Sequence, residues 1–198
     1  VHTRSFGGTT YIIHGSTGGS MVPSDYGINS GWGGLRSTKN IAKLFPAVDG
    51  SVDKRGNFYT NGQSLEIENI ATFTDGYPII KFKNIKRNGA PGSDAGGDFV
   101  DTDFPLFRLA DAYLIYAESV LRGGGGSTAT AIQYVNLLRQ RAYGNTSGNV
   151  SSINLDFILD ERARELSWEA TRRTDLIRFG KFTSGSYLWP FKGGVKDG

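Results

Sequence analysis

The sequence contains no cysteine, a single methionine and only two histidines. Without cysteine there can be no disulfide, no thiol catalysis and no Cys-ligated metal centre. The redox compartment stays open, because exported chains can also lack cysteine. His2 and His14 are too few for a zinc site without other ligands. A serine triad built on His14 would find no G-x-S-x-G elbow. No stretch is long and apolar enough to span a bilayer. A dense run of basic charge is missing too. The formal net charge is +3, and basic residues stand beside Asp and Glu or singly in loops, as do Lys81, Lys83, Lys86 and Arg87. Nucleic acid needs a clustered basic patch and is not expected as a partner.

What the sequence has in excess is glycine. Its 28 glycines lie mostly outside the apolar periodic segments, which points to ordered loops instead of a collagen or a flexible linker. The chain opens VHTRSFGG, without an initiator Met or a signal peptide, and closes WPFKGGVKDG like an unfinished loop. It reads as part of a longer polypeptide whose targeting information lies upstream.

Two portions are expected: residues 1–103, loop-rich, and residues 104–198, helical, together forming one intertwined domain. In the first, Thr10–His14, Ser64–Ile70 and Tyr77–Phe82 have strand character, and Lys39–Phe45 suits a short helix. In the second, Pro105 can open a helix whose Leu106, Leu109, Ala110, Tyr113, Ala117, Val120 and Leu121 share one stripe. Gly123–Gly126 stops it. Ser127 or Thr128 can cap the next helix, in which Ala131, Val135, Leu138 and Ala142 line one face. Asn154 can cap a third, from Leu155 to about Ala170, and Arg173–Phe179 adds a last turn. Ala-rich facing helices resemble tetratricopeptide hairpins, so the fold class is mainly α, with a loop-rich irregular portion and a few short strands.

The third helix carries large apolar groups on two faces. Leu155, Ile158, Leu159, Ala163, Leu166 and Ala170 lie on one side, with Phe157 and Trp168 nearly opposite. Trp168 is therefore expected in the core. Charges caught in such packing must be paired. Spacing offers Glu161 to Arg164, Glu165 to Arg162, Glu169 to Arg172 or Arg173, and Asp175 to Arg178. Each arginine favours the ionised carboxylate, so the helix is poor ground for a general acid and is read as a structural ion-pair lattice.

The segments FPLFRLADAYLIYAESVLRGG, AIQYVNLLRQRA and LDFILDERARELSWEATRRTDLIRFGKF, in that order, resemble the C-terminal region of the SusD/RagB family. The likeness covers roughly residues 99–192, including WPFKGG with Trp189, and extends more weakly to DKRGNF and GWGGLRSTK. The resemblance implies a SusD-like fold and a surface lipoprotein of Bacteroidetes-type bacteria. Such a protein is a non-catalytic glycan-binding subunit for polysaccharide utilization and nutrient uptake. It would capture oligosaccharide or polysaccharide for a SusC-like TonB-dependent transporter. It would lie on the extracellular face of the outer membrane, attached only through a lipid anchor on an N-terminus missing here. Two other readings stay open, a carbohydrate-active hydrolase using loop carboxylates and a helical-repeat adaptor binding a protein partner.

A sugar site wants exposed aromatic rings for C–H faces, with polar groups for hydroxyls. The stretch SDYGINSGWGGLRSTKN supplies Asp25, Tyr26, Asn29, Trp32, Arg36 and Asn40, and the glycines around Trp32 allow an unusual turn. Tyr11, His14 and Tyr59 are further candidates. No cofactor, catalytic residue or metal site is expected. GGGGST lacks the lysine of a phosphate loop. Asp94, Asp98, Asp101 and Asp103 do not match an EF-hand and read as a solvated acidic loop.

Overall fold

The computed structural model describes residues 9–184. His2 and the WPFKGG tail with Trp189 lie outside the described residues. The chain divides into two compact units. Among the described residues, one holds 9–43 and 57–104, and the other holds 44–56 and 105–184.

The first unit is mostly irregular. It contains helix α1 (Thr9–Ser16), a 3-10 turn (Pro23–Tyr26) and the short α2 (Lys39–Ala42). Thr10–His14 is thus helical, against its β-prone composition. Loop residues answer for the difference. Trp32 N donates to His14 O at 2.8 Å, Gly33 N to Thr17 O at 2.9 Å, and Gly34 and Leu35 N to Gly15 O at 2.8 and 2.7 Å. These bonds satisfy carbonyls that a helix C-terminus leaves open, so a tertiary partner overrides local propensity. Ser64–Ile70 and Tyr77–Phe82 form isolated bridges, Ser64 with Asp75, Tyr77 with Ser37 and Ile79 with Phe58. Ile13, Met21, Tyr26, Ile28 and Val100 make the core, with Tyr59, Phe73, Ile80 and Phe82 packed on it.

The second unit is built on α3 (Leu109–Leu121), α4 (Thr128–Tyr143), α5 (Leu155–Glu165) and α6 (Arg172–Arg178). Ser127 caps α4 by accepting from Thr130 N, and Asn154 caps α5 by accepting from Phe157 N at 2.8 Å. Pro105 does not open α3. Arg108 is extended and serves as its N-cap, which leaves Leu106 and Leu109 exposed. The buried stripe is Ala110, Leu114 and Ala117, meeting Ala131, Val135 and Leu138 of α4 and Ile158 of α5. Small residues let the helices approach closely, and Tyr113 stacks on Tyr134 with ring centroids 4.3 Å apart.

Helix α5 stops at Glu165, short of Ala170. Trp168 and Ala170 both take φ of 60°, so Trp168 is not helical, and it is only partly buried. The two left-handed residues flank Glu169 in the turn that leads to α6. Segment 44–56 belongs to this helical unit, and Lys54 N closes an open carbonyl near the end of α4, that of Ala142, at 3.0 Å.

Candidate functional site

The charged cluster on α5 is an ion-pair lattice, with partners drawn from further away than helical spacing suggests. Arg55 Nη1 donates to Glu161 Oε1 at 2.8 Å and to Glu165 Oε2 at 3.0 Å, while its Nε and Nη2 hold Asp53 at 2.9 and 2.7 Å. Glu161 also accepts from Arg139 at 2.7 Å and from Arg164 at 2.9 Å. Glu165 accepts from Arg108 and Arg141, and Glu169 from Arg108 at 2.7 Å. Arg162 reaches Asp111 and Asp175, in place of Glu165. The i,i+3 pairs Glu161–Arg164 and Asp175–Arg178 are present as spacing predicts.

Burial pushes the carboxyls of Glu161 and Glu165 up, but the surrounding guanidiniums outweigh it and hold both below the ordinary carboxylate range. Glu118 behaves the same way beside Arg178 and Arg122. A general acid needs the opposite shift, so these glutamates cement the helices.

The loop-rich unit presents a different surface. Tyr11 and His14 stand one turn apart on α1 and so share a face. Trp32 lies over His14, with ring centroids 4.8 Å apart and planes tilted by 24°. Tyr11 stands 6.1 Å from Trp32 at 57°. His14 is buried, at 2% exposure, whereas Trp32 keeps 45% and Tyr11 54%. The buried imidazole thus underlies two partly exposed rings, the Trp32 indole and the Tyr11 phenol.

The surrounding chain holds this arrangement. His14 Nδ1 donates to Ser30 O at 2.8 Å. His14 Nε2 is buried without a hydrogen-bond partner among the described residues. Gly31 packs so closely that an added Cβ would lie 2.3 Å from Thr17 O, and one on Gly18 would lie 2.6 Å from Gly33 Cα. Any side chain at these positions would lift the Trp32 loop off α1. Tyr11 and Trp32 thus present two exposed aromatic rings set at an angle to each other.

The other candidates are distributed around it. Asn29 is exposed and donates to Asp98 Oδ1 at 2.6 Å. Asp25 is exposed on the 3-10 turn, while Tyr26 behind it is buried in the core, with Lys83 Nζ 4.8 Å from its ring centre. Arg36 is a tie between loops: it donates to Asp75 O at 2.7 Å, to Ile70 O at 2.8 Å and to Gly34 O at 3.3 Å. Tyr59 is partly buried, with its hydroxyl 2.9 Å from Ser20 Oγ. Asn40 is half-buried on α2. Ser30 is not singled out by the sequence, and Asp98 reads there only as part of a solvated acidic loop. Asp98 reads as one more acid in a polar loop until its side chain is seen against Asn29.

Residues 48–197 match the SusD family. The starch-binding protein SusD of Bacteroides thetaiotaomicron is 32% identical across 100% of this chain and 42% of its own length. A SusD-like protein of Bacteroides ovatus is 28% identical across 82% of this chain and 30% of its own. Among solved structures, surface glycan-binding protein A from Bacteroides thetaiotaomicron, in complex with laminarihexaose, superposes with a TM-score of 0.60 at 25% identity. That likeness covers 87% of this chain and 37% of the other. The chain therefore spans less than half the length of each of these proteins.

Proposed function

This chain belongs to the SusD family, and from that premise we propose that it forms part of a non-catalytic glycan-binding subunit of a bacterial outer-membrane uptake system. The observation that carries the reading is the exposed Tyr11–Trp32 pair on its buried His14 base. Sugar rings stack on the two aromatic faces, and polar groups beside them take hydroxyls. SusD is a starch-binding protein, and the solved neighbour is a surface glycan-binding protein in complex with laminarihexaose, which supports a carbohydrate ligand here.

The captured oligosaccharide passes to a SusC-like TonB-dependent transporter, and the subunit sits as a lipoprotein on the extracellular face of the outer membrane. Both points rest on the family. Among the described residues no helix is long and apolar enough to cross a membrane. A hydrolase acting through the helical glutamates is the weaker reading, because their arginines hold Glu161 and Glu165 below the ordinary carboxylate range.

The test is affinity electrophoresis of the chain through gels containing a panel of polysaccharides, with Trp32→Ala alongside. Retardation by at least one glycan is expected, and its loss in the variant at unchanged thermal stability. Retention of full binding by Trp32→Ala would remove the platform from the site.

A further inference from the structure

Resting on this platform reading, we infer that the surface beside Trp32 is built for neutral glycans, and that Asp98 sets the preference. The acidic loop before α3 is folded onto the Trp32 loop. Asp94 accepts from the backbone N–H of Asp98 and Phe99, both at 3.0 Å, and Gly97 N donates to Asp94 O at 3.0 Å. Gly97, at φ 71°, lies so close that a Cβ there would meet Asn29 N at 2.9 Å, and its carbonyl accepts from Asn29 N at 3.3 Å. The left-handed turn at Gly97 therefore delivers the next side chain, Asp98, to Asn29.

A directed chain of polar groups results. Ser30 Oγ donates to Asn29 Oδ1 at 3.0 Å, and Asn29 Nδ2 donates to Asp98 Oδ1 at 2.6 Å. All three residues are exposed. Ser30 is also tied beneath Trp32, since its carbonyl accepts from His14. Asn29 precedes Trp32 by three residues, so their Cα atoms are at most about 11 Å apart, the reach of two or three sugar units. The polar edge and the aromatic cradle thus belong to one loop held by one histidine.

The chemistry of the edge follows from Asp98. An ionised carboxylate only accepts, with about four lone-pair directions, of which Asn29 uses one. Asp98 Oδ2 accepts no hydrogen bond from any described residue. The carboxylate is free to take the hydroxyls of a vicinal diol in charge-assisted bonds, which are the strong ones. No lysine or arginine among the described residues bonds to Asn29, Ser30 or Asp98. A uronate or sulfate ester placed here would meet a like charge without a counter-ion. Coulomb repulsion at hydrogen-bonding range makes that on the order of a tenfold penalty or more.

The experiment is affinity electrophoresis of the 198-residue chain in gels of neutral glucans and gels of polygalacturonate, with Asp98→Asn and Trp32→Ala. Near-ultraviolet circular dichroism checks the fold of each variant. The expected result is retardation by a neutral glucan, weak or no retardation by polygalacturonate, and about tenfold weaker neutral binding for Asp98→Asn. Polygalacturonate binding as strong as the best neutral glucan overturns the inference. So does unchanged neutral binding of Asp98→Asn while Trp32→Ala loses it, and in that case the platform stands. If Trp32→Ala binds as well as the parent chain, the platform falls and takes the inference with it.

Discussion

Arg55 and Glu161 are 106 positions apart in sequence and 2.8 Å apart in the fold. The glutamate side chain is fully buried and the arginine keeps 11% exposure, so neither charge has water to fall back on. Arg55 simultaneously holds Asp53, whose side chain is also fully buried. Removing one partner of a buried pair strands the other and costs about 3–5 kcal/mol. Arg55→Met is therefore expected to destabilise the helical unit by about that amount, read from the urea midpoint. A midpoint equal to that of the parent chain would mean the lattice is ornamental. Glu169→Leu removes one of the two carboxylates on Arg108, which keeps Glu165, and is expected to act in the same direction by less than Arg55→Met.

The lattice also predicts an acid limb. Glu161, Glu165 and Glu118 have folded pKa values below the usual range, because their arginines outweigh the upward push of burial. The unfolded chain, with glutamates near about 4.3, then binds more protons than the native state as pH falls through that value. Stability is present above it and is lost on further acidification. Urea midpoints should stay level from neutral pH to about 5 and fall steeply below about 4. Asp160 has the opposite sign: burial raises it, and Arg164 and Arg172 do not cancel the effect. Its ionised form destabilises the native state at neutral pH. Asp160→Asn should raise the melting temperature at pH 7, with the gain vanishing once pH falls below the unfolded aspartate value of about 3.9.

The turn after α5 stores backbone strain. Ala170 is exposed at φ 60°, a conformation that costs a residue with a Cβ roughly 1–2 kcal/mol. Glycine removes that cost but adds about 0.4–1 kcal/mol of unfolded-state entropy to be lost. Ala170→Gly should stabilise by up to about 1.6 kcal/mol in chemical denaturation, the difference between these two terms. A destabilised variant would show that the methyl group contributes packing.

His14 performs two tasks that substitutions can separate. Its ring supports Trp32, and its Nδ1–H ties Ser30. His14→Phe keeps a flat ring and loses the bond, while His14→Gln keeps a donor and loses the ring. If stacking sets the indole, Phe should preserve glycan affinity and the near-ultraviolet signal of Trp32 better than Gln. The reverse order would assign the positioning to the Ser30 tie.

The helical half was legible because helices are local. Ala131, Val135 and Leu138 repeat at helical spacing, and Ser127 and Asn154 announce caps that depend on residues two or three positions on. The same locality revealed Glu161–Arg164 and Asp175–Arg178. It failed at α3, where extended Arg108 starts the helix late and turns Leu106 and Leu109 to the surface. Helix α1 was hidden because TTYIIHGS reads as a strand, and its C-terminal carbonyls are closed by N–H groups some twenty residues downstream. The family's motifs and the presence of Trp32 in a glycine-flanked loop were determined by the sequence alone. Whether that indole was core or surface was decided by tertiary structure. Burial is a property of what the rest of the chain leaves uncovered: the ring beneath, His14, is buried, and Trp32 stacked on it keeps 45% exposure.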